Sequence, residues 1–249
     1  MSYKSSSRFD IGTSQTIGKR LYMEDTVMVR GQLFDNIDYI AIFDGHNGRE
    51  AAVKSMEMMH KFLNESLIKT PLCERHLKDV YQQVHDVVCA QTESGTTASV
   101  LIIRDNDIVV THCGDSPVYV LENNKLRKIG VDHTVDCPSE VEMIEKQGGT
   151  IVDVKGIKRI NSKIQVTRSI GDRSLHPPLS CVPDVEFVPL ENVTSVIVAS
   201  DGISTVPETV MSELFTQALT PEQQAQFIRN YAFEKDSKDN ISVVVVKIR

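Results

Sequence analysis

Four aspartates in this sequence stand where a short apolar run meets a turn. The run ending Ala41-Ile42-Phe43 is followed by Asp44-Gly45, and Val196-Ile197-Val198-Ala199-Ser200 by Asp201-Gly202. Val109–Cys113 leads into Gly114-Asp115-Ser116, and Lys238-Asp239-Asn240 immediately precedes the run that starts at Ile241. A further acidic pair, Glu24-Asp25, follows closely on Arg20. Taken singly, Asp-Gly is good turn chemistry and nothing more. Gathered at one end of a sheet, the set would have a different use. Carboxylates converging in a partly buried site repel and raise one another's pKa, and a divalent cation removes that repulsion by supplying the opposite charge. Oxygen donors without Cys and with few His select a hard ion, Mn2+ or Mg2+, over Zn2+ or Cu2+. Glycine after the aspartate also lets a backbone carbonyl come close to an ion.

The elements that would position these residues form an α+β pattern with mostly antiparallel strands. Asp38–Phe43 is an apolar run of the kind that forms a buried strand. From Arg49 to Leu67, Ala52, Val53, Met56, Met59, Phe62, Leu63 and Leu67 recur at helical spacing, which predicts an amphipathic helix. A second helix is predicted over about Leu72–Ala90, with Leu77, Val80, Tyr81, Val84, Val87 and Val88 on one face. Ala98–Ile103 and Ile108–Cys113 read as strands joined by the polar turn Arg104–Asp107, and Val118–Leu121 and Leu126–Ile129 as a second hairpin. Ser139–Gln147 fits a helix with Ser139 as N-cap and Gly148-Gly149 as terminator. Strands are expected at Ser195–Ser200 and Ile241–Ile248, with helical stretches near Glu208–Leu219 and Pro221–Phe233 between them. No fixed-period repeat or low-complexity tract interrupts this, so residues 1–249 read as one compact domain.

Composition narrows the function classes. The chain has 249 residues, 41% hydrophobic and 24% charged, which is ordinary for a globular protein and unlike a collagenous or disordered one. The balance of 27 Lys+Arg against 34 Asp+Glu gives a formal charge of −7, which disfavours a nucleic-acid partner. No apolar run approaches the roughly 20 residues that cross a bilayer. Residues 1–10 are polar and Ser-rich, unlike a secretory signal, and Ser2 removes the myristoylation pattern. Cys73, Cys89, Cys113, Cys137 and Cys181 are scattered with no C-x-x-C pair, so they read as reduced thiols of an intracellular protein, cytoplasmic or nuclear. None has an Arg six positions later, so the loop of Cys-based phosphatases is absent.

The motif set resembles the metal-dependent Ser/Thr protein phosphatases of the PP2C type, the PPM family. Arg20-Leu21-Tyr22-Met23-Glu24-Asp25 is similar to that family's first motif, and Asp44-Gly45-His46-Asn47-Gly48 to its second. Ser94–Ala98, Gly114-Asp115-Ser116, Asp132-His133, Gly148-Gly149, Thr167–Asp172, Ala199–Gly202 and Ser237–Asn240 follow in family order, so the resemblance runs from about Gly12 to Ile248. It implies a central sandwich of two antiparallel β-sheets flanked by helices on both sides, with metals at one end between the sheets. It further implies hydrolysis of phosphoserine and phosphothreonine in protein substrates by a monomer, with a water shared by two Mn2+ or Mg2+ ions as the direct nucleophile.

The resemblance also distributes roles. Asp44 would bridge both metals, Glu24 and the Gly45 carbonyl would hold one, and Asp201 and Asp239 the other. Asp25 would steady metal-bound water, and Asp115 with Asp201 would form a weaker third metal position. Arg20 would present its planar fork to two phosphate oxygens, which a Lys cannot imitate. His46 would protonate the departing Ser or Thr oxygen. Arg20 could instead be a surface charge paired with Glu24 or Asp25, and His46 only a turn residue. His112 and His133 read as hydrogen-bonded structural groups, Thr96 and Thr97 as hydroxyls at a strand start, and Thr167–Asp172 as mostly architectural.

The sequence departs from the family pattern at Pro117, where an Arg is usual, at Ser204-Thr205, where Trp-Asp is usual, and at Asn47, which replaces a Gly. These put local packing and the third metal position in question, and none removes a carried-over ligand. Two other readings stand beside this one. A non-catalytic scaffold could use the same fold. A haloacid-dehalogenase-type hydrolase would use Asp105 of Asp105-Asn106-Asp107-Ile108-Val109 as a covalent nucleophile, although a polar hairpin turn explains that stretch far better, since it sits mid-chain without the rest of that family's motif set.

Overall fold

A computed structural model describes residues 8–30, 33, 37–69 and 71–249. The Ser-rich stretch 1–7, read above as no secretory signal, and Ser2 within it lie outside the described residues. In chain order the first strands are β1 (Phe9–Thr16), β2 (Thr26–Arg30), β3 (Asp38–Phe43) and the short β4 (Gly45–His46), followed by helices α1 (Glu50–Lys69) and α2 (Glu74–Cys89). Then come β5 (Gly95–Thr96), β6 (Ala98–Ile103), β7 (Asp107–Cys113), β8 (Val118–Glu122), β9 (Lys125–Ile129) and α3 (Pro138–Lys146). The remainder is β10 (Ile151–Val154), β11 (Ile157–Ile160), β12 (Ile170–Gly171), β13 (Asp184–Pro189), β14 (Val193–Ala199), α4 (Glu208–Leu214), α5 (Pro221–Glu234) and β15 (Ile241–Ile248).

Two five-stranded sheets carry the fold, in the orders β1-β15-β14-β8-β9 and β13-β7-β6-β3-β2, with every pairing in them antiparallel. Alternation along each central strand makes the layers. On β3, Ile40 and Ile42 join Leu101, Ile108, Val110, Val120, Val196, Val198, Val244 and Val246 in the core between the sheets. Tyr39, Ala41 and Phe43 face the other way, onto Met59, Leu63, Leu77, Val84 and Val88 of α1 and α2. On the second sheet Ile197, Ala199, Val243 and Val245 turn outward onto Met211, Leu214, Ala225 and Ile228 of α4 and α5. The result is a helix–sheet–sheet–helix sandwich. Both faces of β3 and β15 are covered, which is why these strands are apolar runs and not alternating ones.

Strand direction decides where the acidic residues go. β3 and β7 both pair antiparallel with β6, so they run parallel and end together, setting Asp44 and Asp115 at one edge. β2 runs against β3 with Thr26 opposite Phe43, which brings the preceding Asp25 alongside Asp44. In the other sheet β14 ends where the antiparallel β15 begins, with Ala199 opposite Val243, so Asp201 and Asp239 share an end. A hydrogen bond of 2.7 Å from Ser242 Oγ to Asp25 Oδ2 ties the two sheet ends together.

Strand β3, β15 and the hairpin from β6 to β7 match the sequence reading, and the first two helices are offset from it by a residue or two. Three differences have physical causes. Pro138 occupies the first turn of α3, so Cys137 and not Ser139 is the N-cap, and it makes no side-chain cap. The stretch Glu208–Leu219 is helical only to Leu214, and Pro221 then opens α5 behind a capping box of Thr220 and Gln223. Strands β1, β13 and the β10–β11 hairpin lie outside the sequence reading, because their polar residues and partly exposed faces carry little apolar signal. All five cysteines are free, and no helix among the described residues is long and apolar enough to cross a membrane.

Candidate active site

The acidic residues converge electrostatically at the end of the sandwich. Burial pushes the Asp44 carboxyl well above the usual carboxylate range, and the charges of Asp25, Asp201, Asp115 and Asp239 push it further. Burial takes Asp25 up to about 6 against the pull of its Ser242 hydrogen bond. Asp201 is also raised to about 6, by burial and then by Asp239. Asp115 reaches about 8, through burial and the charge of Asp201. Each acid thus registers the others as like charges close by, which is the arrangement a divalent cation relieves.

Glu24 joins this set through the backbone. Its Oε1 accepts from the Gly48 amide at 2.6 Å, and its own amide donates to Asn240 Oδ1 at 2.8 Å. A Cβ at Gly45 would lie 2.7 Å from the Glu24 carbonyl oxygen, so glycine there permits the close approach of the two segments. Asn240 Nδ2 donates to the carbonyls of Ile17 and Tyr22, at 2.9 and 3.0 Å, and fixes the loop that carries Arg20. Arg20 Nη2 meets Asp239 Oδ2 at 2.7 Å while remaining half exposed. That hydrogen bond holds the guanidinium above its ordinary pKa, aided by the charges of Asp201 and Glu24. The partner of Arg20 is therefore Asp239, and not Glu24 or Asp25 as the surface-charge alternative supposed.

The donor set suits a hard cation. It consists of carboxylate and carbonyl oxygens, and the Oδ1 atoms of both Asp25 and Asp201 are buried without a hydrogen-bond partner. Among the described residues no three His, Cys, Asp and Glu side chains are already drawn into a finished metal cage. Buried oxygens with no donor and a cluster of mutually raised carboxyls are nonetheless what such an ion would satisfy.

The pattern that defines the family Protein phosphatase 2C matches residues 9–241. The chain belongs to the protein phosphatase 2C family. With that it belongs to the protein phosphatases. "Probable protein phosphatase 2C 44" of rice, Oryza sativa subsp. japonica, is 32% identical over 221 residues, which cover 84% of this chain and 68% of that protein. Among solved structures, a C. elegans sex determining protein superposes with a TM-score of 0.90 at 26% identity, over 98% of this chain and 66% of that one. The serine-threonine phosphatase 2C from Toxoplasma gondii shares the fold, with a TM-score of 0.85 at 20% identity over 100% of this chain and 96% of that one.

Where this protein phosphatase 2C departs from the family pattern, the structure absorbs the change locally. The Pro117 carbonyl accepts from the Ala199 amide at 3.0 Å, and Thr205 Oγ1 donates to the Ala232 carbonyl at 3.3 Å. Asn47 takes a left-handed backbone, φ 56°, which Asn tolerates. His112 bonds Ser99 and the Val131 carbonyl, and His133 accepts from the Gly114 amide and meets Asp184. Thr96 and Thr97 bind the Asp44 carbonyl and the Ser116 hydroxyl, as hydroxyls at a strand start would. Asp105 lies in the β6–β7 turn, at the opposite end of β6 from the acidic cluster, 72% exposed and paired with Arg8. An exposed, arginine-paired turn residue fits the hairpin explanation and leaves the haloacid-dehalogenase reading without a site. Two residues were undervalued in the sequence. Asn240 is the clamp described above, and Asp172, read as architecture, meets His46 at 2.7 Å. The only prior signal for either was its place inside a motif.

Proposed function

We propose that the chain hydrolyses phosphoserine and phosphothreonine in proteins by a metal-dependent route, working as a monomer in the cytoplasm or nucleus. Glu24, Asp44, the Gly45 carbonyl, Asp201 and Asp239 would hold two divalent ions, Mn2+ or Mg2+, and Asp115 with Asp201 a weaker third. When bound, such ions supply an acidified water as nucleophile and offset the charge of the phosphate. Asp25 would accept a hydrogen bond from water beside Asp44. Arg20, already half exposed and steered by Asp239, would bind two phosphate oxygens through its fork. His46 would give a proton to the departing Ser or Thr oxygen, so no phosphoenzyme is required.

The observation that carries this reading is the mutual elevation of Asp25, Asp44, Asp115 and Asp201, acids drawn from strand ends of both sheets. The test is hydrolysis of a phosphothreonine peptide with Mn2+, with chelator, and with Asp44→Ala. Activity that needs Mn2+ and vanishes in the variant supports it. Turnover that survives both chelator and the substitution would refute it.

A further inference from the structure

His46 is held from behind by a buried carboxylate. Asp172, 3% exposed, places Oδ2 at 2.7 Å from His46 Nε2 and accepts a second bond on the same oxygen from Ser169 Oγ at 2.6 Å. Its backbone is fixed as well, at φ 48°, with its amide donating to the Ser94 carbonyl at 3.1 Å. A three-stranded sheet of order β12-β5-β4 assembles the pair, for His46 lies on β4 and Asp172 directly follows β12. Gly95 on β5 sits between them, and a Cβ there would fall on both Asp172 Oδ2 and His46 Nε2. Only glycine leaves room for this contact. Since a carboxylate only accepts, Nε2 carries a proton here, and Nδ1 makes no hydrogen bond to any described residue.

We propose that Asp172 is a positioning residue, which fixes the ring plane and tautomer of His46 so that Nδ1 is the nitrogen that serves the leaving oxygen. This rests on the reading of His46 as proton donor. As the bond from phosphorus to the Ser or Thr oxygen breaks, its electron pair stays on that oxygen, which takes the Nδ1 proton. His46 ends neutral with its Nε2 proton in place, Asp172 remains a carboxylate throughout, and the oxygen of the attacking water ends in inorganic phosphate. The arrangement is that of an imidazole oriented by an acid that does not itself accept the proton.

The leaving group supplies the test, because a threonine oxygen needs a proton as it departs and p-nitrophenolate does not. With Mn2+, kcat and KM are measured on a phosphothreonine peptide and on p-nitrophenyl phosphate for wild type, Asp172→Asn, His46→Gln and the double variant. Asp172→Asn should lower kcat on the peptide about 10- to 100-fold with KM unchanged, and far less on the aryl phosphate. The double variant should lose no more than His46→Gln alone. Asn tolerates the left-handed backbone at this position. If that variant does not fold, Ser169→Ala, which removes the second bond to Oδ2, should give a smaller loss of the same pattern. In the metal-free protein, imidazole nitrogen shifts of His46 should move from a single tautomer in wild type to a mixture in Asp172→Asn. Equal losses on both substrates, additive losses in the double variant, or unmoved nitrogen shifts would overturn the assignment to Asp172. A His46→Gln variant that loses both substrates equally would instead overturn the proton-donor reading beneath it.

Discussion

Replacing Asp201 by Asn should stabilise the metal-free protein while removing its response to metal. At pH 7.5 the Asp201 carboxyl is ionised in a place that raises its pKa from 3.8 to about 6. For an acid raised in the folded state, the ionised form costs stability above the folded pKa, because the unfolded chain gives up the same proton more readily. The shift corresponds to about 3 kcal/mol at 1.36 kcal/mol per pKa unit. Neighbouring acids in the cluster relax when one charge is removed, so about 1–3 kcal/mol should be recovered, or roughly 3–10 °C in Tm for a chain of this size. Mn2+ at a hundred times its Kd should stabilise wild type by about 3 kcal/mol, and the variant by less than half of that. Thermal melts in chelator and in Mn2+ read both arms. A variant less stable than wild type in chelator, or an equal gain from Mn2+ in both proteins, would show that the acids of the two sheets do not share a cation.

Three further outcomes are expected. Arg20→Lys keeps the charge but loses the fork, so kcat/KM on a phosphothreonine peptide should fall about 10- to 100-fold, read by steady-state kinetics. His112 is buried and held neutral with its pKa lowered to about 4, chiefly by burial. The unfolded chain takes up that proton near pH 6.5, so stability falls as pH drops from 6.5 towards 4. Urea unfolding at pH 7.5 and pH 5 should show about 2 kcal/mol more of acid-induced loss in wild type than in His112→Asn. The Tyr81 hydroxyl lies 2.7 Å from Thr111 Oγ1 and 3.2 Å from the Ala98 carbonyl in the core under α2. Tyr81→Phe should cost about 1–2 kcal/mol in urea unfolding by leaving Thr111 short of a partner.

What could be read from the sequence follows from how each element is buried. Strands β3 and β15 are covered on both sides, and their runs of six and eight residues stand out with clear ends. Strand β1, FDIGTSQT, is held mainly by its pairing with β15 and by α5, so its side chains had little to announce. The acids were conspicuous because each interrupts an apolar run, yet sequence alone could not say that these ends coincide. That required the strand directions, which depend on non-local pairings such as Asp38 with Ile103 and Ser195 with Lys247. The contact of His46 with Asp172 is of the same kind, since 126 positions separate the two. No local pattern marks an aspartate as the partner of a distant histidine.

Asp239 and Asn240, which directly precede strand β15, grip Arg20 and the backbone on either side of it, and β15 itself lies between β1 and β14. Without that strand in place the fold would hold Glu24, Asp44, Asp115 and Asp201 but neither the Asp239 carboxylate nor the Asn240 clamp. Its first motif would stay loose until the closing strand slid in beside strand β1. The acidic cluster is thus a product of tertiary closure, complete only when the strand following Asp239 and Asn240 has taken its place between its two neighbours.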